Sequence, residues 1–552
     1  MSDYYDLGDH QRTISTSSRD AQLWFDRGLN WTYGFNHGEA IKCFERAIEA
    51  DPDCPMAHWG VAYAIGPNYN LEWDMFGARA LVKMVAKAHE AAQKSLSLID
   101  RATPAERAMI EAIQARYPSL TPIEDCSVWS DAYADAMRAV YRDFGDDLDV
   151  AALFAESLMN RTPWQLWNLT TGEAAEGADT IEALNVLDHA FENPTSHRHP
   201  GVLHMYIHLL EMSPFPERAL KAADWLRNLV PDAGHLIHMA THIDVLCGNY
   251  HDVVAYNELA TRVDDQFQER TGILPYYTFY RLHNYHFKVY GAMFLGQKEI
   301  ALKAANEVIA SVPRETLEQV EPVNMADRIE WFLSMRLHVM VRFGMWQEII
   351  DLALPDDPDL FRVTTAMTHY AKGVAFSAMG HVAQAEEEQR RFEAAAARVP
   401  ESRYHGIQNK CVDVLGVARE MLAGELEYRK GNYDDAFAHL RESIKRYDGL
   451  AYAEPWGWMQ PVRHALGALL LEQGRLEEAE AVYAADLGLD GTLARAYQHP
   501  ENVWALHGYH EALMRQGKHD FCGIINQRLN IASARADVPI ESSCFCRMEM
   551  VG

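Results

Sequence analysis

The sequence lacks a positive charge excess, a long apolar run and a regular cysteine framework. Its 50 Lys and Arg stand against 79 Asp and Glu, a formal net charge of -29. Nucleic acids and anionic membranes recruit basic surfaces, so the composition argues against general binding to either. No run of about 18 apolar residues reads as a membrane span. The N-terminal MSDYYDLGDHQRT is polar and acidic, without the basic and apolar regions of a signal peptide. Of eight cysteines, Cys43, Cys54, Cys126, Cys247, Cys411 and Cys522 are scattered and Cys544 and Cys546 pair near the C-terminus. That is no secreted disulfide framework. A cytoplasmic protein with reduced thiols is the expectation. Alternating β-branched segments are nearly absent, as are a phosphate-binding glycine loop, a G-x-S-x-G elbow and an H-E-x-x-H helix.

What is present is helical periodicity. Trp24, Gly28 and Trp31 share the first helix of a hairpin; Ala40, Phe44 and Ala47 share the second, and Pro52 follows. Large-small-large, then small-aromatic-small and a closing proline, is the signature of the tetratricopeptide repeat (TPR). Two short helices cannot bury their apolar faces alone, so such hairpins stack. Glycine turns ahead of helical runs recur at Gly248, Gly344 and Gly431, with weaker versions at Gly296, Gly380, Gly474 and Gly517. Their intervals of 36 to 51 residues are irregular. Prolines at 52, 194, 200, 214, 216, 231 and 400 are expected where helices stop. The expected fold is all-α, a TPR-like array of α/α hairpins forming an irregular or closed solenoid. The expected divisions are an arm over 1–17, a helical region over 18–180, histidine-rich repeats over 181–300, further repeats over 301–534 and a tail over 535–552.

Eleven of the 25 histidines lie between His189 and His286, where uniform scatter would put roughly four. His204, His208 and Glu211 are spaced i, i+4 and i+7, on one face of a helix. His235, His238 and His242 follow at i, i+3 and i+7, and His283 and His286 at i, i+3. Three neighbouring helices each displaying a histidine pair predict convergence on a metal. His204, His208, His238, His242, His283 and His286 are the expected ligands, and Glu211 a further ligand or general base. Six imidazoles suit a coupled two-copper centre, or a single copper, iron or zinc ion on four of them.

Additional candidates are His37, Glu156 with Asn160, His235, and Cys544 with Cys546. A Cys-x-Cys in extended chain can bind a soft metal or form a disulfide. Trp59, Trp164, Trp167, Tyr276 and Tyr277 are candidate pocket walls. The expected function is a metal-dependent enzyme, an oxidoreductase acting on a small organic substrate with copper favoured. The alternatives are a TPR peptide- or protein-binding scaffold without catalysis, a zinc-dependent hydrolase or lyase, and a metal-sensing or storage protein.

The blocks FNHGEAIKCF (35–44), AHWGVAYAIGPNYN (57–70), HPGVLHMYIHLLE (199–211), GHLIHMATHI (234–243), HNYHF (283–287), HPENVWALHG (499–508) and ESSCFCR (541–547) carry a resemblance. Together they resemble those of a large group of bacterial and fungal tetratricopeptide-repeat proteins of about this length. The resemblance implies a helical-repeat fold, with His37, His204, His208, His238, His242, His283 and His286 at recurring positions. It supplies no reaction. The group has Pro-Ser where this chain has Ala240-Thr241, a change that removes no candidate ligand.

Overall fold

Aromatic rings wedged into glycine notches hold the helical hairpins together. In the first hairpin, Arg19–Tyr33 and His37–Ala50, a Cβ on Gly28 would lie 2.6 Å from the Phe44 ring. A Cβ on Gly60, in the next helix Pro55–Ala64, would lie 2.5 Å from that same ring. Phe44 therefore fills the groove between two helices that only glycine allows so close. The same device returns far along the chain. Tyr483 in Leu476–Asp486 would stand 2.3 Å from a Cβ on Gly467 in Val462–Glu472 and 2.1 Å from one on Gly508 in Val503–Arg515.

The computed structural model describes residues 4–272, 275–320, 324–406, 408–454 and 456–547, apart from the side chains of 275, 276 and 521. Among them the architecture is all-α, a succession of helical hairpins. One two-stranded antiparallel ladder, Tyr404–His405 with Asn409–Lys410, is the exception. The turns predicted at Gly248, Gly296, Gly344, Gly380, Gly431, Gly474 and Gly517 all have positive φ, between 62° and 83°. There L side chains are strained and glycine is not.

Pro216, expected at a helix end, begins the 3-10 turn Pro216–Ala219, and Pro200, which with Gly201 suits a helix start, begins Pro200–Glu211. The missing N–H of proline costs nothing in a first turn. Among the described residues no helix is long and apolar enough to cross a membrane.

The chain divides into two compact units, one of residues 4–243 with 259–272, the other of residues 244–258 with the described residues from 275 onward. The first unit contains Pro200–Glu211 and residues 234–243 of the helix Gly234–Cys247. Both are buried all round, as helices inside a large core are. In the second unit, residues 535–547 pack against the body. Asp537 accepts hydrogen bonds from the backbone N–H groups of Lys298 (2.6 Å) and Glu299 (2.9 Å) and so caps Lys298–Ser311.

Candidate metal centre

The site begins with a cap. The His199 side chain accepts the Val202 N–H at 3.1 Å and starts Pro200–Glu211. One helical turn on, His204, His208 and Glu211 are all fully buried (0% exposed). His204 Nδ1 donates to the carbonyl of Tyr33 at 2.7 Å. A carbonyl only accepts, so this fixes the proton on Nδ1 and the lone pair on Nε2. The helix reaches the Tyr33 backbone because a Cβ at Gly201 would stand 2.5 Å from the Tyr33 ring.

Glu211 orients two more imidazoles. Its Oε1 accepts from His208 Nδ1 and its Oε2 from His242 Nδ1, each at 2.7 Å. His242 Nε2 then lies 2.7 Å from His238 Nε2. The Nε2 atoms of His204 and His208 are buried and have no hydrogen-bond partner. Leaving such an atom unsatisfied costs about 1–3 kcal/mol. His204, His208 and His235 each offer a ring nitrogen within 4.8 Å of the others. Tetrahedral ligands at zinc–nitrogen distances lie about 3.3 Å apart, so modest contraction would close this set on an ion.

Burial depresses the basicity of the set. It holds His204 and His235 well below the ordinary imidazole range, with the neighbouring histidines adding to the shift. It lowers His208 too, against the opposing pull of Glu211. These rings are neutral near pH 7, the form that binds metal.

Aromatic rings close the cluster. Phe35 lies 4.5 Å from the His204 ring, 5.8 Å from His208 and 5.6 Å from His235. Tyr69 and Trp164 approach His208 at 4.9 and 5.9 Å. Among the described residues, three non-glycine residues have positive φ: Phe35 (53°), Trp164 (60°) and Glu501. Two of the three therefore press on the same imidazole, and backbone strain of this kind concentrates at functional sites.

His37 opens its helix and is buried, its Nδ1 accepting from Asn68 Nδ2 at 3.4 Å. Burial brings it down to about 4. Glu156 is also buried. It accepts from the Tyr63 hydroxyl at 2.5 Å and from Asn160 at 3.5 Å, and burial raises its pKa. Trp59 stacks on Tyr63 at 5.1 Å, and Trp167 Nε1 donates to Leu209 O at 2.6 Å, bracing the histidine helix. His283 and His286 belong to the second unit. There His283 Nε2 lies 3.6 Å from Glu454 Oε2, and His286 stands edge-on to Trp331 at 5.0 Å. Tyr277 packs near Tyr280 in that unit, at 6.2 Å, while the side chain of Tyr276 lies outside the described residues. Cys544 and Cys546 form a disulfide.

One cluster escaped the sequence reading. Asp149 Oδ1 accepts from His10 Nε2 and His199 Nε2, both at 3.1 Å, and from the Tyr33 hydroxyl at 2.6 Å, while Oδ2 accepts from Arg12 Nη1 at 2.9 Å. Burial opposes its ionisation, but the bonds from the two histidines hold its pKa well below the usual carboxylate range. His199 already spends Nδ1 on the helix cap, so both its nitrogens are committed. This group braces Tyr33, whose carbonyl orients His204. The signal in the sequence was a histidine before Pro200-Gly201, at the position of a helix cap.

A family model for the tetratricopeptide repeat matches residues 33–54. No curated protein matches the chain. Among solved structures, the APC/C hetero-tetramer Cut9–Hcn1 is similar over 94% of this chain and 88% of that chain, at 11% identity and a TM-score of 0.32. Yeast Tom70 is similar over 93% of this chain and 84% of that chain, at 13% identity and a TM-score of 0.29. Naa15/Naa10 bound to HypK-THB gives 93% and 75%, 11% identity and a TM-score of 0.20. The chain is thus similar to tetratricopeptide-repeat proteins at residues 33–54, within an all-helical architecture of hairpins.

Proposed function

We propose that the first unit is built to hold a transition-metal ion, and that the chain is a metal-binding helical-repeat protein. One observation carries this reading. His204 and His208 each commit Nδ1 to an oxygen, which leaves a buried Nε2 lone pair with no hydrogen-bond partner to face the cluster, while His242 commits Nδ1 to Glu211 and sets its Nε2 against His238 Nε2. Histidine ligands to metals are held in this way, by a carboxylate or carbonyl on the other nitrogen. His204, His208 and His235 would take the ion, with His238 and His242 as adjacent donors. Glu211 orients the ligands, since both its oxygens are spent on imidazole N–H groups. Neutral imidazoles suit copper, iron or zinc and not magnesium or calcium. Copper or iron would supply oxidation of an organic substrate there, and zinc an activated water.

The repeat match at residues 33–54 favours a second role, a scaffold for a protein partner. The two roles are compatible, because the histidine cluster is interior and a partner would engage the outer helical surface. The test is elemental analysis of untagged chain from metal-supplemented cells, beside His208→Ala. Metal at one or more equivalents per chain, lost in the variant, supports the metal reading. A metal-free wild-type chain overturns it and leaves the scaffold.

A further inference from the structure

The second unit holds a separate chemical feature, the disulfide between Cys544 and Cys546. A bridge across a single residue constrains almost none of the unfolded chain, so it adds little to folding. The segment is held by other means. Ser543 Oγ donates to the His464 carbonyl at 2.8 Å, the Arg342 guanidinium donates to the Ser543 carbonyl, and Arg547 pairs with both oxygens of Glu511 at 2.6 and 2.8 Å. The sulfur–sulfur bond can open without undocking the segment.

Both cysteines line a cavity of about 20 Å³, with room for about one water molecule. Glu425, Tyr370, Arg342 and His464 line it too. Glu425 is 0% exposed; Oε1 accepts from Arg429 at 2.9 Å, whereas Oε2 has no hydrogen-bond partner, and neither has the Tyr370 hydroxyl. Burial raises the Glu425 pKa against the pull of Arg429, which favours the protonated acid. The two sulfurs differ. Cys546 is 3% exposed, while Cys544 is half-buried and its Sγ accepts the Cys546 N–H at 3.2 Å. That N–H stabilises negative charge on Cys544 sulfur.

We propose that Cys544 and Cys546 form a thiol–disulfide exchange site for an external dithiol, with Glu425 as the proton donor to Cys546. A thiolate of the dithiol attacks Cys544 Sγ, the more accessible sulfur. The Cys544–Cys546 bond breaks, and Cys546 leaves as a thiolate that takes the Glu425 proton. The second thiol of the reductant, deprotonated by solvent, attacks its own sulfur in the mixed disulfide and releases the Cys544 thiolate. The dithiol ends as a cyclic disulfide, two electrons poorer, and the chain ends with two reduced cysteines. Solvent returns the proton to Glu425, and the reverse sequence oxidises the pair.

The test uses the full chain in buffers of set reduced-to-oxidised dithiothreitol ratio, followed by alkylation and peptide mass analysis. The peptide bearing both cysteines should pass from unlabelled to doubly labelled as one two-electron step, with the helical circular dichroism unchanged. Glu425→Gln should slow opening on the order of 10²-fold, the scale of a general acid, while Tyr370→Phe leaves the rate unchanged. A pair that opens only in denaturant overturns the proposal without any variant. Equal rates in wild type and folded Glu425→Gln overturn it as well.

Discussion

Glu211→Gln removes one negative charge and one acceptor from the centre of the histidine cluster. The wild-type carboxylate accepts two imidazole N–H bonds, one on each oxygen, both at 2.7 Å. A glutamine amide offers one oxygen and one NH2 group. Either His208 or His242 must then give up its acceptor, at a cost of about 1–3 kcal/mol in a buried site. The other outcome is a tautomer change that moves a proton onto Nε2, the atom that faces the ion. Loss of an orienting carboxylate behind a histidine ligand lowers metal affinity about 10–100-fold, or about 1.4–2.8 kcal/mol of binding free energy. The assay is competition against a chelator of known affinity, with untagged chain loaded with copper or zinc. Glutamine has nearly the volume of glutamate, so thermal unfolding of the metal-free chain serves as the control for folding. An unchanged affinity in a normally folded variant would refute the assignment of Glu211 as the orienting group.

Three further outcomes follow from the packing and the charges. Asp149→Asn should lower the unfolding temperature, because it removes one of the two carboxylates that pair with buried Arg12, leaving Asp147, and takes the charge from an acceptor shared by His10, His199 and Tyr33, a loss of about 1–3 kcal/mol. Bound metal per chain should persist in that variant, and a loss of metal with no loss of stability would make the Asp149 group a ligand set. Gly28→Ala should destabilise the first hairpin by about 1–3 kcal/mol, since the new Cβ meets the Phe44 ring at 2.6 Å. Phe44→Leu should recover part of the loss in thermal melts, and no recovery would place the cost elsewhere. Burial lowers His338 to about 3, so the unfolded chain binds its proton first as pH falls. The stability it contributes is complete above about pH 6.5 and drains at up to about 1.4 kcal/mol per unit on the way down. His338→Phe should flatten that acid limb in urea unfolding, and an unchanged slope would count against the argument.

The fold was largely legible because its two devices are local. A glycine opposite an aromatic residue marks the close approach of two helices, as at Gly28 and Phe44 or Gly467 and Tyr483. A glycine between helical runs marks a positive-φ turn, as at Gly248 and Gly431. Helical spacing also placed His204, His208 and Glu211 on one helix, and His235, His238 and His242 on another, though it ranked His235 below its neighbours. What spacing could not give is what each Nδ1 faces. The partner of His204 is a backbone carbonyl 171 residues away, and backbone atoms leave no trace in residue type. The left-handed conformations of Phe35 and Trp164 were hidden for a related reason, since neither residue favours them. The Asp149 group was missed because its members come from four separate stretches and only His199 stands in a recognisable local context.

The central claim is that buried imidazole nitrogens in the first unit hold a transition-metal ion. X-ray absorption at the edge of the copurified or reconstituted metal tests it most directly. The expected first shell holds at least three imidazole nitrogens at about 2.0–2.1 Å, one fewer in His208→Ala and in His235→Ala, and no sulfur. A shell of oxygen or thiolate ligands, or one that neither substitution alters, would contradict it.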